Sequence, residues 1–326
     1  MRKVVLTDYV WDNIDVETRI LAGVANVVPF KSATADEFLA EAADCDAMLN
    51  TYAGPITADL MSQMPQCKII ARYGIGVDTI DVKAATDLGI IVTNNPTYCV
   101  NEVAEHAMAL MLSLSRKIVF YDRQVRDGRW NVSQAKPIFP LSGSHLGLVG
   151  FGNIARQVAT KAIGFGMKVS FFDPGVEESP SCPQIKKVSF EDLLEQADVV
   201  SLHAPLNERT QGLMDDVSFA RMGSRSLLIN VARGKIVDTD ALVRALDRGL
   251  IAGAALDTTD PEPLPVSHPL RNRDNVVITP HAAWYSEPSM EKLQSGAPSE
   301  IRRLFDGAWP INVVNPAVRG RSRAEL

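Results

Sequence analysis

No run of this sequence is apolar for long enough to cross a membrane: AMALMLSL, residues 107–114, is the longest, well short of the roughly 18 residues a bilayer core requires. The N-terminus, MRKVVLTDYV, lacks the apolar region and small-residue cleavage site of a secretory signal. Cysteine is scarce. The four thiols, Cys45, Cys67, Cys99 and Cys182, are widely spaced with no CxxC pair, which argues against zinc or redox exchange and points to a reducing cytoplasm. No HExxH or comparable cluster suggests a metal. The 33 Lys and Arg are scattered and outnumbered by 39 Asp and Glu, for a net charge of -6. No basic stripe could neutralise a phosphate backbone, so nucleic acid is not expected as a direct ligand.

The remaining composition, 46% hydrophobic and 22% charged, is that of a soluble globular enzyme. At 326 residues the chain exceeds what one core usually supports, so two domains are expected. Short β-branched runs recur at 4–8 (VVLTD), 47–50 (AMLN), 68–74 (KIIARYG) and 90–94 (IIVTN) with helical stretches between them, the alternation of a parallel sheet covered on both faces. From Asn101, a plausible N-cap, a long helix is expected over 101–120. Val103, Ala107, Leu110 and Leu114 make one apolar stripe and Ala104, Met108, Met111 and Leu112 a second, so the helix needs two partners, inside one domain or across to a second subunit. A more regular alternation follows, with strands expected at 145–152, 168–173, 198–204, 226–233, 253–258 and 275–281, six in all and enough for a complete doubly wound sheet. A helix is expected over 289–304, and the polar tail RGRSRAEL is read as disordered.

Gly150, Gly152 and Ala155 form a GxGxxA turn between the apolar strand LGLV and a helix beginning at Asn153 and Ile154. The first Gly permits the tight turn, the second lets the backbone approach a pyrophosphate, and the small Ala allows close packing of helix on strand. The helix N-terminus then offers free N–H groups and a positive dipole end to the phosphates. Asp173 ends the next strand, where its carboxylate can bind the adenosine ribose hydroxyls. The 2′-phosphate of NADP would be repelled there by about 1 kcal/mol in water and about 4 at an effective dielectric of 20, and PGVEES beyond it holds no cation. NAD is the expected cofactor.

Hydride transfer to a 2-oxo acid needs a cation for the carboxylate, a proton donor for the carbonyl oxygen, and a neighbour that keeps the donor protonated. Arg233 closes SLLINVAR and can hold a carboxylate with its planar fork. His281 closes NVVITPH and can donate the proton. Glu262, in TDPEPLP, is the candidate carboxylate that favours imidazolium. All three follow strands on the carboxyl side of the sheet, where doubly wound folds bind ligands. Structural roles are expected for His106, His145 and His268, and a place lining the cofactor for His203.

The segments ARYGIGVDTID, NEVAEHAMALML, LGLVGFGNIA, LINVARGKIVD, GAALDTTDPEPLP and ITPHAAW, in this order, resemble the D-isomer-specific 2-hydroxyacid dehydrogenases over nearly the whole chain. The resemblance implies two doubly wound α/β domains, a Rossmann NAD-binding domain over 99–286 inserted into a flavodoxin-like substrate domain made of 1–98 and 287–326. It implies hydride transfer between nicotinamide C4 and substrate C2, with Arg233, Glu262 and His281 catalytic. Asp257 would lie by the nicotinamide carboxamide. Cys99, Val231, Ala232, Ala283 and the HAPLNERT turn, with His203, Ala204, Pro205 and Thr210, would line the cofactor. Ile75 and Gly76 would offer N–H groups to the substrate carboxylate, and Tyr52, Ala53 and Gly54 would close over it. A homodimer through helix 101–120 is implied as well.

Within the family, PHAAWYSEP looks most like the C-terminal binding proteins, NAD-binding corepressors. Trp284 would give the substrate pocket a large apolar wall, favouring a side chain bulkier than that of glyoxylate. A 3-phosphoglycerate dehydrogenase and an NAD-sensing scaffold are the alternative readings. The end of the chain at Leu326, without a long tail or regulatory domain, weighs toward the simple dehydrogenase.

Overall fold

A computed structural model describes residues 1–31, 35–179 and 182–324. The chain divides into two units, residues 1–98 with 286–326, and residues 99–285. Ser286, expected in the second unit, belongs to the first because its hydroxyl accepts the Ser289 N–H and caps the helix that follows.

In the first unit β1 (Arg2–Leu6), α1 (Asp15–Leu21), β2 (Ala25–Pro29), α2 (Ala35–Ala42), β3 (Ala47–Asn50), α3 (Ala58–Ser62), β4 (Ile69–Arg72), α4 (Val82–Asp87) and β5 (Ile91–Thr93) alternate along the chain. The strands pair in parallel in the order β2-β1-β3-β4-β5, the flavodoxin-like winding. Val4, Val5, Met48, Leu49, Ile69 and Ile70 are fully buried, as a sheet covered on both faces demands. Strand β2 was not expected from the sequence: ANVVP is a half-exposed edge strand ending in Pro, so its apolar signal is weak. Thr57 and Asp81 cap α3 and α4 by accepting the N–H groups of Leu60 and Ala84.

The C-terminal helix, Glu287–Phe305, completes this unit. The tail expected to be disordered is instead packed through Ala324; Glu325 and Leu326 lie outside the described residues. The reason is the edge of β5, whose backbone groups need partners. Val314 N–H donates to the Val92 carbonyl at 2.8 Å and Arg323 N–H to the Gly89 carbonyl at 2.9 Å. The Arg323 guanidinium reaches the Met64 and Cys67 carbonyls.

The second unit opens with α5 (Val100–Ser115) and α6 (Ile118–Arg126), followed by β6 (His145–Val149), α7 (Asn153–Gly164), β7 (Lys168–Phe172), β8 (Lys186–Lys187), α8 (Phe190–Gln196), β9 (Val199–Leu202), α9 (Asp216–Arg221), β10 (Leu227–Asn230), α10 (Thr239–Asp247), β11 (Gly253–Leu256) and β12 (Val276–Ile278). The sheet order is β12-β11-β10-β9-β6-β7-β8, a Rossmann winding with its reversal between β6 and β9. It holds seven strands rather than six because two lysines at the edge pair with β7. The helix expected over 101–120 breaks at Lys117, whose φ of 56° ends α5 and starts α6. Cys99, not Asn101, occupies the N-cap of α5. Most of both apolar stripes of α5 is buried inside the unit: Val103, Ala104, Ala107, Met108, Leu110, Met111 and Leu114 are buried, with Leu112 half-buried, where α5 packs on α7, β10 and β11. Of the two partners left open for the second face, α7 and the sheet of the same unit cover most of it.

Candidate active site

The strand order reverses between β6 and β9, and the loops that follow these two strands flank the crevice where doubly wound folds bind ligands. Gly150, at φ 88°, sits where an added Cβ would come within 2.7 Å of the Ala204 nitrogen, so only glycine allows the two loops this close. Nothing lies within 4 Å of a Cβ built on Gly152, leaving open space above the first turn of α7, where Asn153 and Ile154 start the helix. Asp173 follows β7. Its carboxylate accepts the Phe151 N–H at 2.8 Å and the Gly175 N–H at 2.7 Å, so it shapes the glycine turn and retains acceptor capacity. An open glycine turn, a helix N-terminus and a carboxylate at the end of the next strand fit a dinucleotide.

Across the reversal, His203 donates or accepts with the Ser201 hydroxyl at 2.9 Å, and burial pushes its imidazole down to about 4. It is neutral at neutral pH. Ala204 and Pro205 follow, and the Thr210 hydroxyl donates to the Pro205 carbonyl at 2.6 Å while accepting the Asn207 N–H at 2.9 Å, closing the turn.

After β10, the buried Asn230 accepts the Ala232 N–H at 3.0 Å and donates to the Arg233 carbonyl at 2.9 Å, fixing the Val231, Ala232, Arg233 turn. Asn230 has no part in the sequence reading; a polar residue ending an apolar strand was its only signal. Gly234 lies so close to the next loop that a Cβ would stand 2.0 Å from the Thr259 carbonyl oxygen. The turn bearing Arg233 is thereby packed against the loop bearing Glu262. Glu262 Oε1 meets His281 Nδ1 at 2.7 Å, with the His281 side chain 23% and the Glu262 side chain 42% exposed. Arg233 donates to the Ala232 carbonyl at 2.8 Å.

His281 adopts φ 53°, a left-handed backbone that costs a residue with a side chain roughly 1–2 kcal/mol. Its N–H donates to the Asp257 carbonyl at 2.8 Å. The Ala282 N–H donates to Asp257 Oδ1 at 2.9 Å and the Ala283 N–H to Oδ2 at 3.0 Å. Asp257 is thus buried beneath the histidine turn. Trp284 follows, edge-on to Tyr285 at 5.7 Å. His106, read as structural, stands 3.4 Å from Asp257 Oδ1.

In the first unit, Asp8 after β1 accepts the Thr51 N–H at 3.0 Å and the Tyr52 N–H at 2.6 Å, and Asn50 donates to the Ala53 carbonyl at 2.7 Å. The Ile56 N–H donates to the Thr79 carbonyl at 2.7 Å, and Gly54 packs against Thr79. Asn94 holds the Ile75 carbonyl at 2.7 Å. The loop of Tyr52, Ala53 and Gly54 is thus stitched to the one that carries Ile75 and Gly76. Among the described residues no three His, Cys, Asp or Glu side chains are grouped to hold a metal ion, and no helix is long and apolar enough to cross a membrane.

The family model for the NAD binding domain of D-isomer specific 2-hydroxyacid dehydrogenases matches residues 108–283. A glyoxylate reductase of Korarchaeum cryptofilum is 38% identical over 279 residues, covering 84% of each chain. D-lactate dehydrogenase of Aquifex aeolicus, solved with NAD and lactic acid, superposes with a TM-score of 0.87 at 28% identity, over 93% of this chain and 96% of its own. An NADPH-dependent glyoxylate/hydroxypyruvate reductase of Sinorhizobium meliloti, solved with NADP and malonate, gives a TM-score of 0.85 at 28% identity, with 96% of each chain covered.

Proposed function

Because the chain belongs to the D-isomer specific 2-hydroxyacid dehydrogenase family, we propose that it interconverts a small 2-oxo acid and its D-2-hydroxy acid with NADH and NAD. The reading rests above all on the 2.7 Å pairing of His281 Nδ1 with Glu262, in a loop packed against the turn of Arg233. Gly150, Gly152 and the first turn of α7 receive the pyrophosphate, Asp173 the adenosine ribose, and Val231, Ala232 and the turn from His203 to Thr210 flank the dinucleotide. Asp257 has one acceptor position left on Oδ2 for the carboxamide, since Oδ1 already takes two donors. NADH, when bound, supplies the hydride to substrate C2.

Arg233 binds the substrate carboxylate and polarises the adjacent carbonyl. The Glu262 carboxylate accepts a hydrogen bond from His281 Nδ1–H, which fixes the ring, and the doubly protonated ring gives its Nε2 proton to the carbonyl oxygen while keeping the one on Nδ1. The product carries hydride on C2 and this proton on oxygen; the oxidative direction returns both. Ile75 and Gly76 supply N–H donors to the carboxylate, and Tyr52, Ala53 and Gly54 enclose it. The aromatic face of Trp284 favours a side chain bulkier than that of glyoxylate. Steady-state rates with NADH on glyoxylate, hydroxypyruvate, 4-methylthio-2-oxobutyrate and phenylpyruvate test the reading. Turnover of none of them, with NADH bound, overturns the enzyme in favour of a scaffold; fastest turnover of glyoxylate overturns the role of Trp284. Comparable efficiency with NADPH overturns the NAD preference.

We also propose that the protein is a homodimer in a reducing cytoplasm, where its four free thiols are stable. Of the exposed large apolar residues, Ile118, 54% exposed, Val119, 39%, Val125, 48%, Trp130, 89%, and Val132, 74%, fall within one stretch after Lys117. That is the patch expected against a second copy. A monomer by sedimentation at micromolar concentration overturns it.

A further inference from the structure

Three successive N–H groups, those of His281, Ala282 and Ala283, converge on one residue, Asp257: the first on its carbonyl, the others on its two carboxylate oxygens. The left-handed conformation of His281 turns the N–H groups to one side, and the Asp257 carboxylate fills the anion-binding hollow so formed. Whatever fixes Asp257 therefore fixes the backbone of His281.

What fixes it is a second chain of hydrogen bonds. The Thr279 hydroxyl stands 2.6 Å from Asp257 Oδ1 and 2.9 Å from His106 Nε2. A carboxylate can only accept, so the Thr279 proton points to Asp257, and the Thr279 oxygen must accept a proton from His106 Nε2. The directions are then settled along the line from His106 through Thr279 to Asp257, and the tautomer of His106 carries its proton on Nε2. His106 belongs to α5, one turn along from the buried Val103, with its side chain 24% exposed. The His281 turn is in this way tied to the core of the unit rather than to its own loop alone.

Resting on the dehydrogenase reading above, we propose that His106 and Thr279 are positioning residues for the acid–base His281, acting through Asp257. Neither is expected to touch substrate or cofactor. They hold the carboxylate that holds the left-handed turn, and so aim the His281 ring that Glu262 orients from the other side.

Thr279→Val keeps the shape of the side chain and removes the hydroxyl. Losses of supporting hydrogen bonds behind a reacting group are on the order of 10- to 100-fold, so kcat on the best 2-oxo acid is expected to fall by about tenfold or more, with KM and the NADH Kd changed less than about twofold. Thr279→Ser restores kcat to within about threefold of wild type. His106→Leu lowers kcat in the same direction, and because both residues lie on one chain, the double variant loses little beyond Thr279→Val alone. Additive losses, a kcat that follows the NADH Kd, or no rescue by Ser overturn the proposal. If the wild type turns over no 2-oxo acid, the dehydrogenase reading fails by itself, and the ring resonances of His281 still decide the positioning claim. They shift between wild type and Thr279→Val if it holds and stay unchanged if it does not.

Discussion

The two units use one device in two places. Asp8, after β1, accepts a Thr hydroxyl from Thr7 at 2.7 Å and the successive N–H groups of Thr51 and Tyr52. Asp257, after β11, accepts a Thr hydroxyl from Thr279 at 2.6 Å and the successive N–H groups of Ala282 and Ala283. In each case a buried carboxylate at a strand end braces the loop that leaves the neighbouring parallel strand. The difference lies in what is braced. Over Asp8 the loop presents backbone and an exposed Tyr52; over Asp257 it carries a histidine in a left-handed conformation, paired to Glu262. A doubly wound sheet delivers loops to one edge, and a carboxylate beneath a loop makes it rigid. Chemistry enters only where the rigid loop holds a titratable side chain.

The largest effect is expected at that side chain. Removing a general acid costs about 10²- to 10⁴-fold, so His281→Gln should lower kcat by that order while NADH binding, measured by fluorescence, persists. A variant that keeps more than about a tenth of wild-type kcat would mean the proton comes from elsewhere. The next effect separates the braces. Asp257→Asn and Asp8→Asn each turn an amide N–H₂ toward a backbone N–H, of Ala283 or of Tyr52, and leave a buried donor unmatched at a cost of about 1–3 kcal/mol. Both should lower the melting temperature to a similar degree. Only Asp257→Asn should lower kcat, by roughly 10- to 100-fold; Asp8→Asn should raise the substrate KM by roughly tenfold, which is 1.4 kcal/mol of binding, and leave kcat within about twofold. Equal losses of kcat in the two variants would dissolve the distinction.

The contrast also marks what could be read from the sequence. The glycine turn from Gly150, the carboxylate at Asp173, and Arg233, Glu262 and His281 stand at ends of strongly apolar strands, so periodicity and residue chemistry located them together. Thr279 went unread, and His106 was read only as structural, because Thr279 lies 22 residues from Asp257 and 173 from His106. Asp8 and Asn50 went unread because each bonds across 43 residues, and Asn230 because its bonds, to Ala232 and Arg233, form only once the turn does. A polar residue inside or just after an apolar strand, or for His106 inside an apolar helix, was the only local trace of them. Strand β2 was missed because an edge strand with one wet face has little pattern. The packed tail was missed because its partners, the Val92 and Gly89 carbonyls, are exposed only once the sheet exists. The second face of α5 was visible in the sequence, but whether it meets α7 or another subunit is decided by tertiary packing alone.

The smallest expected effect also divides the units, now by pH. Burial holds the His203 imidazole in the second unit down to about 4, below the ordinary 6.5 of an unfolded histidine. Between those values the unfolded chain takes up a proton that the folded chain refuses, so this unit loses stability as pH falls below 6.5, with the loss complete near 4. By pH 5, about 1.5 units below 6.5, the loss reaches at most about 2 kcal/mol, His203 being only half-buried. In the first unit, burial raises the Glu17 carboxyl above its usual 4.5, although Tyr73 and Gln294 both donate to it. There the folded state holds its proton longer, so the contribution is present below 4.5 and is lost as pH rises through the raised value. The signs are opposite, and acid should weaken the cofactor unit while easing the other. Thermal melts at pH 5 and pH 8 of wild type, His203→Gln and Glu17→Gln check this. His203→Gln should narrow the deficit at pH 5, and Glu17→Gln should raise the melting temperature relative to wild type more at pH 8 than at pH 5. A Glu17→Gln difference that is the same at both pH values would mean that the carboxyl is ionised in the folded state throughout, its hydrogen bonds from Tyr73 and Gln294 outweighing its burial.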